Sequence, residues 1–389
     1  MSKAFLILAD GTVFEGTSIG AKGKTIGEVV FTTGMTGYLE TLTDPSYYGQ
    51  IVTQTFPLIG NYGVIPEDFE SAKSWVQGYI VREMCDQPSN FRCQGNLDDF
   101  LKAQGIIGIC GIDTRALTKK LRESGVMNGI IVSGKYSSTV ISATKNVISV
   151  PDTEILKEIK DYKITDAVEN VSIKDKRHAE LVSASHIEKI PKQVRNDKCN
   201  IILWDFGAKA NIQRELEKRG CKVIVVPYNT SAQEILTMNP DGIMLSNGPG
   251  DPAENTGVIE EIRKLCDYGK IPIFGICLGH QMLALARGAK TSKLKYGHRG
   301  GNHPCKDLLT NRVYITSQNH GYAVEPASLP TFAKLSFINI NDNTCEGIEY
   351  TDIPAFSVQF HPEACGGPHD TNFLFDRFLK MMEAPSATK

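Results

Sequence analysis

Cys277 lies in GICLGHQ, residues 275–281, where an apolar, strand-like run gives way to a helix-like one. Gly275 and Gly279 flank it at the G-x-C-x-G spacing of a nucleophile elbow, in which glycines remove the Cβ clashes of a sharp strand-to-helix turn. A thiol at the start of a helix also faces the positive end of the helix dipole, which favours the thiolate. We therefore predict that Cys277 is a nucleophile. The alternative is a buried, unreactive thiol, which is the interpretation we give to Cys110 in the other GIC segment.

The segment FSVQFHPEA near the C-terminus offers a base and a group to orient it. Residues two apart on an extended chain face the same side, so His361 and Glu363 can meet across the proline between them. Glu363 would hold one imidazole nitrogen and leave the other to exchange a proton with Cys277. His320, in SQNHGY, is the alternative base, and His280 lies beside the nucleophile. Neither has a carboxylate at matching spacing, so structural or substrate-contact roles suit them better.

Acyl transfer also requires hydrogen-bond donors for the oxyanion. The backbone N–H of Leu278, the residue after the nucleophile, is one candidate. The segment SNGPGDP, residues 246–252, can supply the second, because Gly248 allows its backbone to approach a ligand closely. The alternative is a plain turn between a strand and a helix, which explains glycines but not two of them around a rigid proline.

The bulk properties are those of an ordinary soluble globular protein. The 389 residues are enough for two domains, and the formal net charge of -2 favours neither nucleic acid nor an anionic membrane as partner. No apolar run is long enough to span a bilayer, and the N-terminus does not have the pattern of a secretory signal. The ten cysteines are scattered in mostly apolar contexts, which indicates reduced thiols in a cytoplasmic protein. No CxxC, HxxxH or HExxH spacing occurs, so we expect no metal.

Three regions follow one another along the chain. Short β-rich runs and two helix-like segments predict an N-terminal α+β domain over residues 1–171. Residues 172–198 carry seven Lys or Arg, four acids and one Pro, and we interpret them as a polar linker or insertion rather than a basic contact patch. Over residues 199–389, strands and helices alternate strictly, which predicts an α/β domain with a doubly wound, mainly parallel sheet. Ligands of such sheets bind beyond the carboxyl ends of the strands, where the NGPG loop and Cys277 fall.

Four motifs, LSNGPGDP, GICLGHQ, SQNHGYAV and FHPEA, resemble in their order and spacing the class I glutamine amidotransferase domain. The N-terminal half narrows the resemblance. Its segments LADGTVFEG, GEVVFTTGMTGYLETLTDPSYYGQIV, GNYG and GIDTRALT are similar to the small subunit of carbamoyl-phosphate synthetase. The resemblance covers nearly the whole chain and is weak over roughly residues 135–198.

The resemblance implies hydrolysis of L-glutamine to glutamate and ammonia. Cys277 would attack the side-chain amide, His361 would protonate the departing ammonia, Glu363 would fix the histidine, and a γ-glutamyl thioester would then be hydrolysed. The family's glutamine contacts carry over onto Ser46, Gly248, Gly250, Leu278, Gln281, Asn319, Gly321 and Tyr322. Ser46 comes from the N-terminal domain and would place the pocket at the domain interface. Position 322 is more usually Phe, which matters little if the contact uses backbone atoms.

The resemblance also implies a partner. A larger subunit would bind MgATP and bicarbonate, receive ammonia through an internal tunnel, and make carbamoyl phosphate for pyrimidine and arginine biosynthesis, in a heterodimer or a higher oligomer. This chain would need no cofactor of its own, in keeping with the absence of a GxxxxGK[ST] sequence for ATP.

Three other functions remain as alternatives. Another class I amidotransferase feeding a different synthase would usually lack the domain of residues 1–135. A catalytically silent interaction subunit would require the loss of Cys277, His361 or Glu363, and all three are present. A cysteine hydrolase on a similar sheet does not account for the NGPG and HPE segments together.

Overall fold

The computed structural model describes residues 2–134, 153–178 and 199–383. The chain divides into two compact units, Met1–Thr165 and Asp166–Lys389. The second unit therefore begins before residue 172, where we expected the linker to start. Of that expected linker, residues 179–198 lie outside the described residues, whereas residues 172–178 include a strand that pairs within the second unit.

In the first unit, seven strands of the described residues close into a barrel with the order β1-β2-β8-β6-β4-β3-β9. The parallel pairs are β3 with β4, β4 with β6 and β6 with β8, and the other neighbours are antiparallel. Two short strands, β5 and β7, pair separately. The strands are β1 Lys3–Leu8, β2 Val13–Gly20, β3 Lys24–Thr32, β4 Gln50–Gln54, β5 Leu58–Ile59, β6 Gly78–Ile80, β7 Glu83–Met84, β8 Ile107–Cys110 and β9 Met127–Ser133.

Helices pack against this barrel with their apolar faces. They are α1 Tyr38–Thr43, α2 Leu97–Ala103, α3 Thr114–Ser124 and α4 Thr153–Asp161. The Asn96 side chain accepts a hydrogen bond from the Asp99 N–H, and the Asp113 side chain accepts one from the Ala116 N–H, so α2 and α3 both begin at polar N-caps. Leu97 and Leu101 of α2 are fully buried in a core that also contains Tyr79 of β6. The α+β character expected of this part of the chain is confirmed.

The second unit contains a ten-stranded sheet with the order β10-β12-β11-β13-β14-β19-β18-β17-β15-β16. Its centre, β12-β11-β13-β14-β19, is parallel, and the strands on either side are added antiparallel. The strands are β10 Arg177–His178, β11 Cys199–Asp205, β12 Cys221–Pro227, β13 Gly242–Leu245, β14 Ile273–Ile276, β15 Thr291–Asp307, β16 Val313–Val324, β17 Ala333–Asn339, β18 Cys345–Tyr350 and β19 Ala355–Val358.

Helices cover both faces of the parallel centre, as expected for a doubly wound sheet. They are α5 Ala167–Val171, α6 Ala210–Lys218, α7 Ala232–Thr237, α8 Thr256–Tyr268, α9 Leu278–Ala286 and α10 Phe373–Glu383. Successive strand residues face opposite sides: Ile202 belongs to the core that includes α8 and α9, whereas Ile201 belongs to the core that includes α6 and α10. The predicted α/β fold is confirmed in this parallel centre.

No helix within residues 2–134, 153–178 and 199–383 combines the length and the apolar character needed to cross a membrane.

Candidate active site

Cys277 is the N-cap residue of α9 and directly follows β14. Its backbone has φ 53° and ψ -101°, a conformation that residues with a Cβ rarely adopt. Its N–H donates to Val358 O of β19 at 2.9 Å, so the turn is held by the neighbouring strand. The side chain is 2% exposed, and Sγ lies 3.6 Å from Asn319 O. The geometry is that of the predicted strand-to-helix elbow.

The two glycines around Cys277 allow α9 to lie close to the strands beneath it. A Cβ on Gly279 would lie 2.4 Å from Leu245 O, and a Cβ on Gly275 would lie 2.9 Å from the Gly279 carbonyl carbon. Gly279 N–H donates to Ser246 O at 3.0 Å, which ties the start of α9 to the end of β13. The G-x-C-x-G spacing is therefore required by the packing of backbone on backbone.

His361 and Glu363 follow β19, the strand next to β14 in the sheet. His361 Nδ1 and Glu363 Oε1 are 2.7 Å apart, and since a carboxylate only accepts, Nδ1 carries the hydrogen. Both side chains are buried. His361 Nε2 is also buried and has no hydrogen-bond partner among the described residues, which leaves it available to a reacting group.

Lys209 is a charged residue of this site that sequence reasoning missed. Its Nζ lies 3.5 Å from Glu363 Oε1 and 3.3 Å from His361 Nδ1. It is the N-cap residue of α6, and its N–H donates to Asn247 Oδ1 at 3.0 Å. The signal was present in the sequence, because DFGAK follows β11 and the carboxyl ends of parallel strands meet at one edge.

Charges determine the protonation of the His361–Glu363 pair. Burial, the largest influence, and the Lys209 charge lower the pKa of His361, but the charges of Glu363 and Cys277 outweigh them and raise it to about 10. Burial raises the pKa of Glu363, but His361 and Lys209 outweigh it and lower that pKa to about 2. Both shifts favour an imidazolium beside a carboxylate.

Gly248, the expected second oxyanion residue, is tightly enclosed after β13. A Cβ at this position would lie 2.2 Å from Phe206 O and 2.7 Å from the Leu278 side chain. The structure therefore brings Gly248 beside Leu278, the other residue expected to bind the oxyanion. Gly250, two residues further on, has φ +90° and its Cβ would meet Ala167 at 2.9 Å.

Gln281, Asn319 and Tyr322, three of the expected glutamine contacts, lie around Cys277 on α9 and β16. Gln281 Nε2 donates to Tyr322 O at 2.7 Å and to Gln359 Oε1 at 2.9 Å. The backbone carbonyl oxygen of Asn319 faces the Cys277 thiol. The Nε2 group of Gln281 thus donates its hydrogens within the protein, to Tyr322 and Gln359. Of the Gln281 side-chain amide, Oε1 remains for a substrate.

Gly321 and Ser46 complete the set of expected contacts. Gly321 lies on β16 between His320 and Tyr322, and a Cβ there would meet only Arg299 Nη2, at 3.4 Å. Ser46 belongs to the first unit, where it lies in a short 3-10 turn and its N–H donates to Asp44 Oδ1 at 2.9 Å. The other expected contacts belong to the second unit.

The two rival histidines are engaged elsewhere. His280 is fully buried, its Nδ1 lies 2.8 Å from Ser357 Oγ, and burial lowers its pKa to about 3. His320 Nδ1 donates to Tyr322 O at 2.7 Å, and its Nε2 is 2.9 Å from Gln318 Oε1. Burial also lowers the pKa of His320 well below its usual range. Each histidine is therefore engaged in buried hydrogen bonds that do not involve Cys277.

One buried cluster has the residue types of a metal site. Single ligand atoms of His298, His320 and Glu346 lie within 4.8 Å of one another. Hydrogen bonds already join these groups to their neighbours, since His298 Nε2 is 2.8 Å from Asp342 Oδ2 and Gln318 Nε2 donates to Glu346 Oε2 at 2.8 Å. We interpret the cluster as a buried polar network, and the expectation of no metal stays a prediction.

Two family models match this chain. Residues 6–131 match the family model for the carbamoyl-phosphate synthase small chain, CPSase domain, and residues 202–381 match that for class-I glutamine amidotransferases. Among solved structures, a glutamine amidotransferase from Thermotoga maritima covers 47% of this chain, with 18% sequence identity and a TM-score of 0.36.

Relatives of full length are also found. The carbamoyl phosphate synthase small chain of Listeria monocytogenes is 51% identical over 98% of this chain and 97% of its own length. The protein of the same name from Fusobacterium nucleatum is 52% identical over 97% of this chain and 98% of its own length.

The parallel sheet, the cysteine elbow and the His361–Glu363 pair, together with the matching family model, define the second unit as a class I glutamine amidotransferase domain. The first unit and the full-length relatives then narrow the class. The chain belongs to the family of carbamoyl phosphate synthase small chains.

Proposed function

We propose that Cys277, His361 and Glu363 are the catalytic residues of a glutaminase. The observation that carries this proposal is their convergence: a buried imidazole, oriented by a carboxylate 2.7 Å away, follows the strand next to the one that ends at Cys277. Catalysis by a thiol needs these three functions, namely a nucleophile, a proton carrier and a group that orients the carrier.

The charge state suggests the order of proton transfers. The thiolate form of Cys277 attacks the γ-carbonyl carbon of glutamine while His361 holds the proton. The tetrahedral intermediate collapses as His361 Nε2–H donates its proton to the departing amine, which leaves as ammonia. His361 then takes a proton from water, the hydroxide attacks the thioester, and glutamate leaves as the Cys277 thiolate is restored.

Two backbone donors support the intermediate in this proposal. Leu278 N–H lies at the start of α9, and Gly248 is packed against the Leu278 side chain. Removal of one oxyanion donor typically lowers the rate by about 10²–10³-fold. We assign binding of the substrate's remaining groups to Gly250, Gln281, Asn319, Gly321 and Tyr322, and to Ser46 on the strength of the family resemblance alone.

As a member of its family, the chain is the glutamine-hydrolysing subunit of carbamoyl-phosphate synthetase, and its partner is the large subunit of that enzyme. We propose that the large subunit holds MgATP, forms a heterodimer or higher oligomer with this chain, and receives the ammonia directly. Direct transfer is favoured because free ammonia is largely protonated at neutral pH and then loses its nucleophilic lone pair. We also propose a cytoplasmic location, since the cysteines lie in mostly apolar contexts.

The test is glutamate release by matched cysteine variants of the holoenzyme. Cys277→Ser should lower the rate by at least about 10³-fold, because a hydroxyl cannot replace a thiolate at neutral pH. Cys110→Ser is the control, since Cys110 lies in the second GIC segment at the end of β8 in the first unit. A Cys277→Ser rate equal to that of wild type would remove Cys277 from the mechanism.

A further inference from the structure

Cys199 and Cys221 are the first residues of β11 and β12. These strands are parallel neighbours, and Cys199 is the register partner of Cys221. Their Sγ atoms lie 3.2 Å apart. The two thiols are therefore adjacent both along the sheet and in space.

The backbone at this pair suits a disulfide bond. Neighbouring strands lie about 4.8 Å apart, which falls within the roughly 4.4–6.8 Å between Cα atoms that a disulfide requires. In-register residues of a parallel pair direct their side chains to the same face of the sheet. Both cysteines accordingly contact the same apolar core, the one covered by α6 and α10. Bond formation requires the sulfurs to approach from 3.2 Å to about 2.05 Å, a shift within reach of side-chain rotation.

Access to the pair is one-sided. Cys199 is partly exposed, whereas Cys221 is 3% exposed. An external oxidant would thus meet Cys199 first, and Cys221 would act from inside the core. Cys199 and Cys221 lie at the amino ends of their strands, whereas Cys277 follows the carboxyl end of β14. The two thiol sites therefore lie at opposite ends of the parallel strands.

We propose that Cys199 and Cys221 form a reversible dithiol–disulfide site that reacts with small-molecule disulfides. The Cys199 thiolate attacks one sulfur of the small disulfide, forms a mixed disulfide and releases one thiolate. Cys221, after losing its proton to solvent, attacks the Cys199 sulfur and releases the second thiolate. Two protein thiols are oxidised by two electrons, and one small disulfide is reduced to two thiols.

The bond would close a loop that carries part of the active site. The segment between the two cysteines contains α6 and Lys209, whose ammonium lies 3.5 Å from Glu363 Oε1. A crosslink across a loop of this length restricts the unfolded chain and should raise the melting temperature of the second unit by roughly 5–10 °C.

The experiment exposes the full-length chain to oxidised glutathione, blocks the remaining thiols with N-ethylmaleimide, and maps the peptides by mass spectrometry. The expected product is a peptide pair joined through Cys199 and Cys221, lighter than the two reduced peptides by two hydrogen atoms. The melting temperature should rise on oxidation and return on addition of dithiothreitol.

Two variants and one control make the result specific. Cys199→Ser and Cys221→Ser should each lose the oxidation-dependent rise in melting temperature, whereas Cys365→Ser, which removes an exposed thiol, should retain it. The peptide map of the wild-type chain needs no variant and remains decisive if the buried Cys221→Ser substitution prevents folding. Full glutathionylation of Cys365 with no linked Cys199–Cys221 peptide would overturn the proposal.

Discussion

Three charged side chains, those of Lys209, His361 and Glu363, are packed together away from water. Glu363 and Lys209 act on the imidazolium with opposite signs, because one charge attracts the proton and the other repels it. Glu363 and Lys209 also differ in how they contact His361. His361 Nδ1–H donates a hydrogen bond to Glu363, whereas Lys209 Nζ lies 3.3 Å from the same Nδ1 without accepting that hydrogen. This arrangement makes the pKa of His361 the most informative property of the site.

Two charge-removing variants should therefore move the pKa of His361 in opposite directions. In Glu363→Gln the pKa should fall from about 10, because burial and Lys209 then act with less opposition. In Lys209→Met the pKa of His361 should rise, because a positive charge that lowers it has been removed. Histidine side-chain NMR titration, with the His361 signal assigned through His361→Asn, measures both. A fall of similar size in the two variants would contradict the assigned charges.

The same pKa values set the pH range in which the pair stabilises the fold. The raised pKa of His361 gives a contribution that is complete below about 6.5 and is lost as the pH rises through about 10. The lowered pKa of Glu363 gives a contribution that is complete above about 4.5 and is lost as the pH falls through about 2. Both contributions to stability are therefore complete between about pH 4.5 and about pH 6.5.

At the scale of elements, the contact between α9 and the end of β13 places the thiol. Backbone lies against backbone there, and the Gly279 N–H donates to Ser246 O. A methyl group at position 279 would meet the Leu245 carbonyl at 2.4 Å, a distance that real contacts do not reach. The helix can accommodate it only by moving away from the sheet and taking Cys277 with it.

Gly279→Ala should accordingly lower both stability and glutaminase activity. Overpacking of this kind costs about 1–3 kcal/mol, or a fall in melting temperature of a few degrees. Gly257→Ala in α8 is the matched control, because a Cβ there meets no described atom within 4 Å and alanine favours a helix. Thermal denaturation and glutamate release measure the two effects. Equal behaviour of the two variants would exclude the close contact as the cause.

The elements also show what could be predicted from the sequence and why the rest could not. Strand–helix alternation after Cys199 predicted the parallel centre, because buried strands and amphipathic helices have distinct periods. The antiparallel extension β18-β17-β15-β16 was not predicted, since pairing partners of separate strands leave no local signal. Closure of the first-unit barrel was missed for the same reason.

Within the site, contacts between residues close in sequence could be predicted, whereas contacts between residues far apart in sequence could not. His361 and Glu363 lie two residues apart, so their meeting follows from extended backbone alone. Lys209 reaches them from 152 positions away in the chain, and its sequence signal was limited to its place after the carboxyl end of a parallel strand. The hydrogen bonds from Gln281 Nε2 to Tyr322 and Gln359 had no local sequence signal either, and the assignment of Gln281 to the substrate stays a prediction.

At the scale of the whole molecule, the family places glutamine hydrolysis and carbamoyl phosphate synthesis on separate chains. The proposed division predicts that a small chain without its nucleophile still allows the large subunit to use ammonia from solution. With Cys277→Ser in the holoenzyme, carbamoyl phosphate formation from glutamine should be lost, and formation from ammonium chloride should be retained. Loss of both activities would indicate that Cys277 is needed for the assembly or for the partner's chemistry.

The positive φ at Cys277, together with its proposed role as nucleophile, implies a conflict between thermostability and activity at this position. A Cβ held in such a backbone conformation costs about 1–3 kcal/mol, and glycine alone escapes that penalty. The Cys277→Gly protein, for which our proposal predicts no activity, should therefore melt above the Cys277→Ala protein, the reverse of the usual order. At Cys266, inside α8 with ordinary helical backbone, the glycine variant should melt below the alanine variant. A backbone conformation that suits glycine thus holds a residue with a Cβ, which our proposal explains by the need for a nucleophilic thiol at this turn.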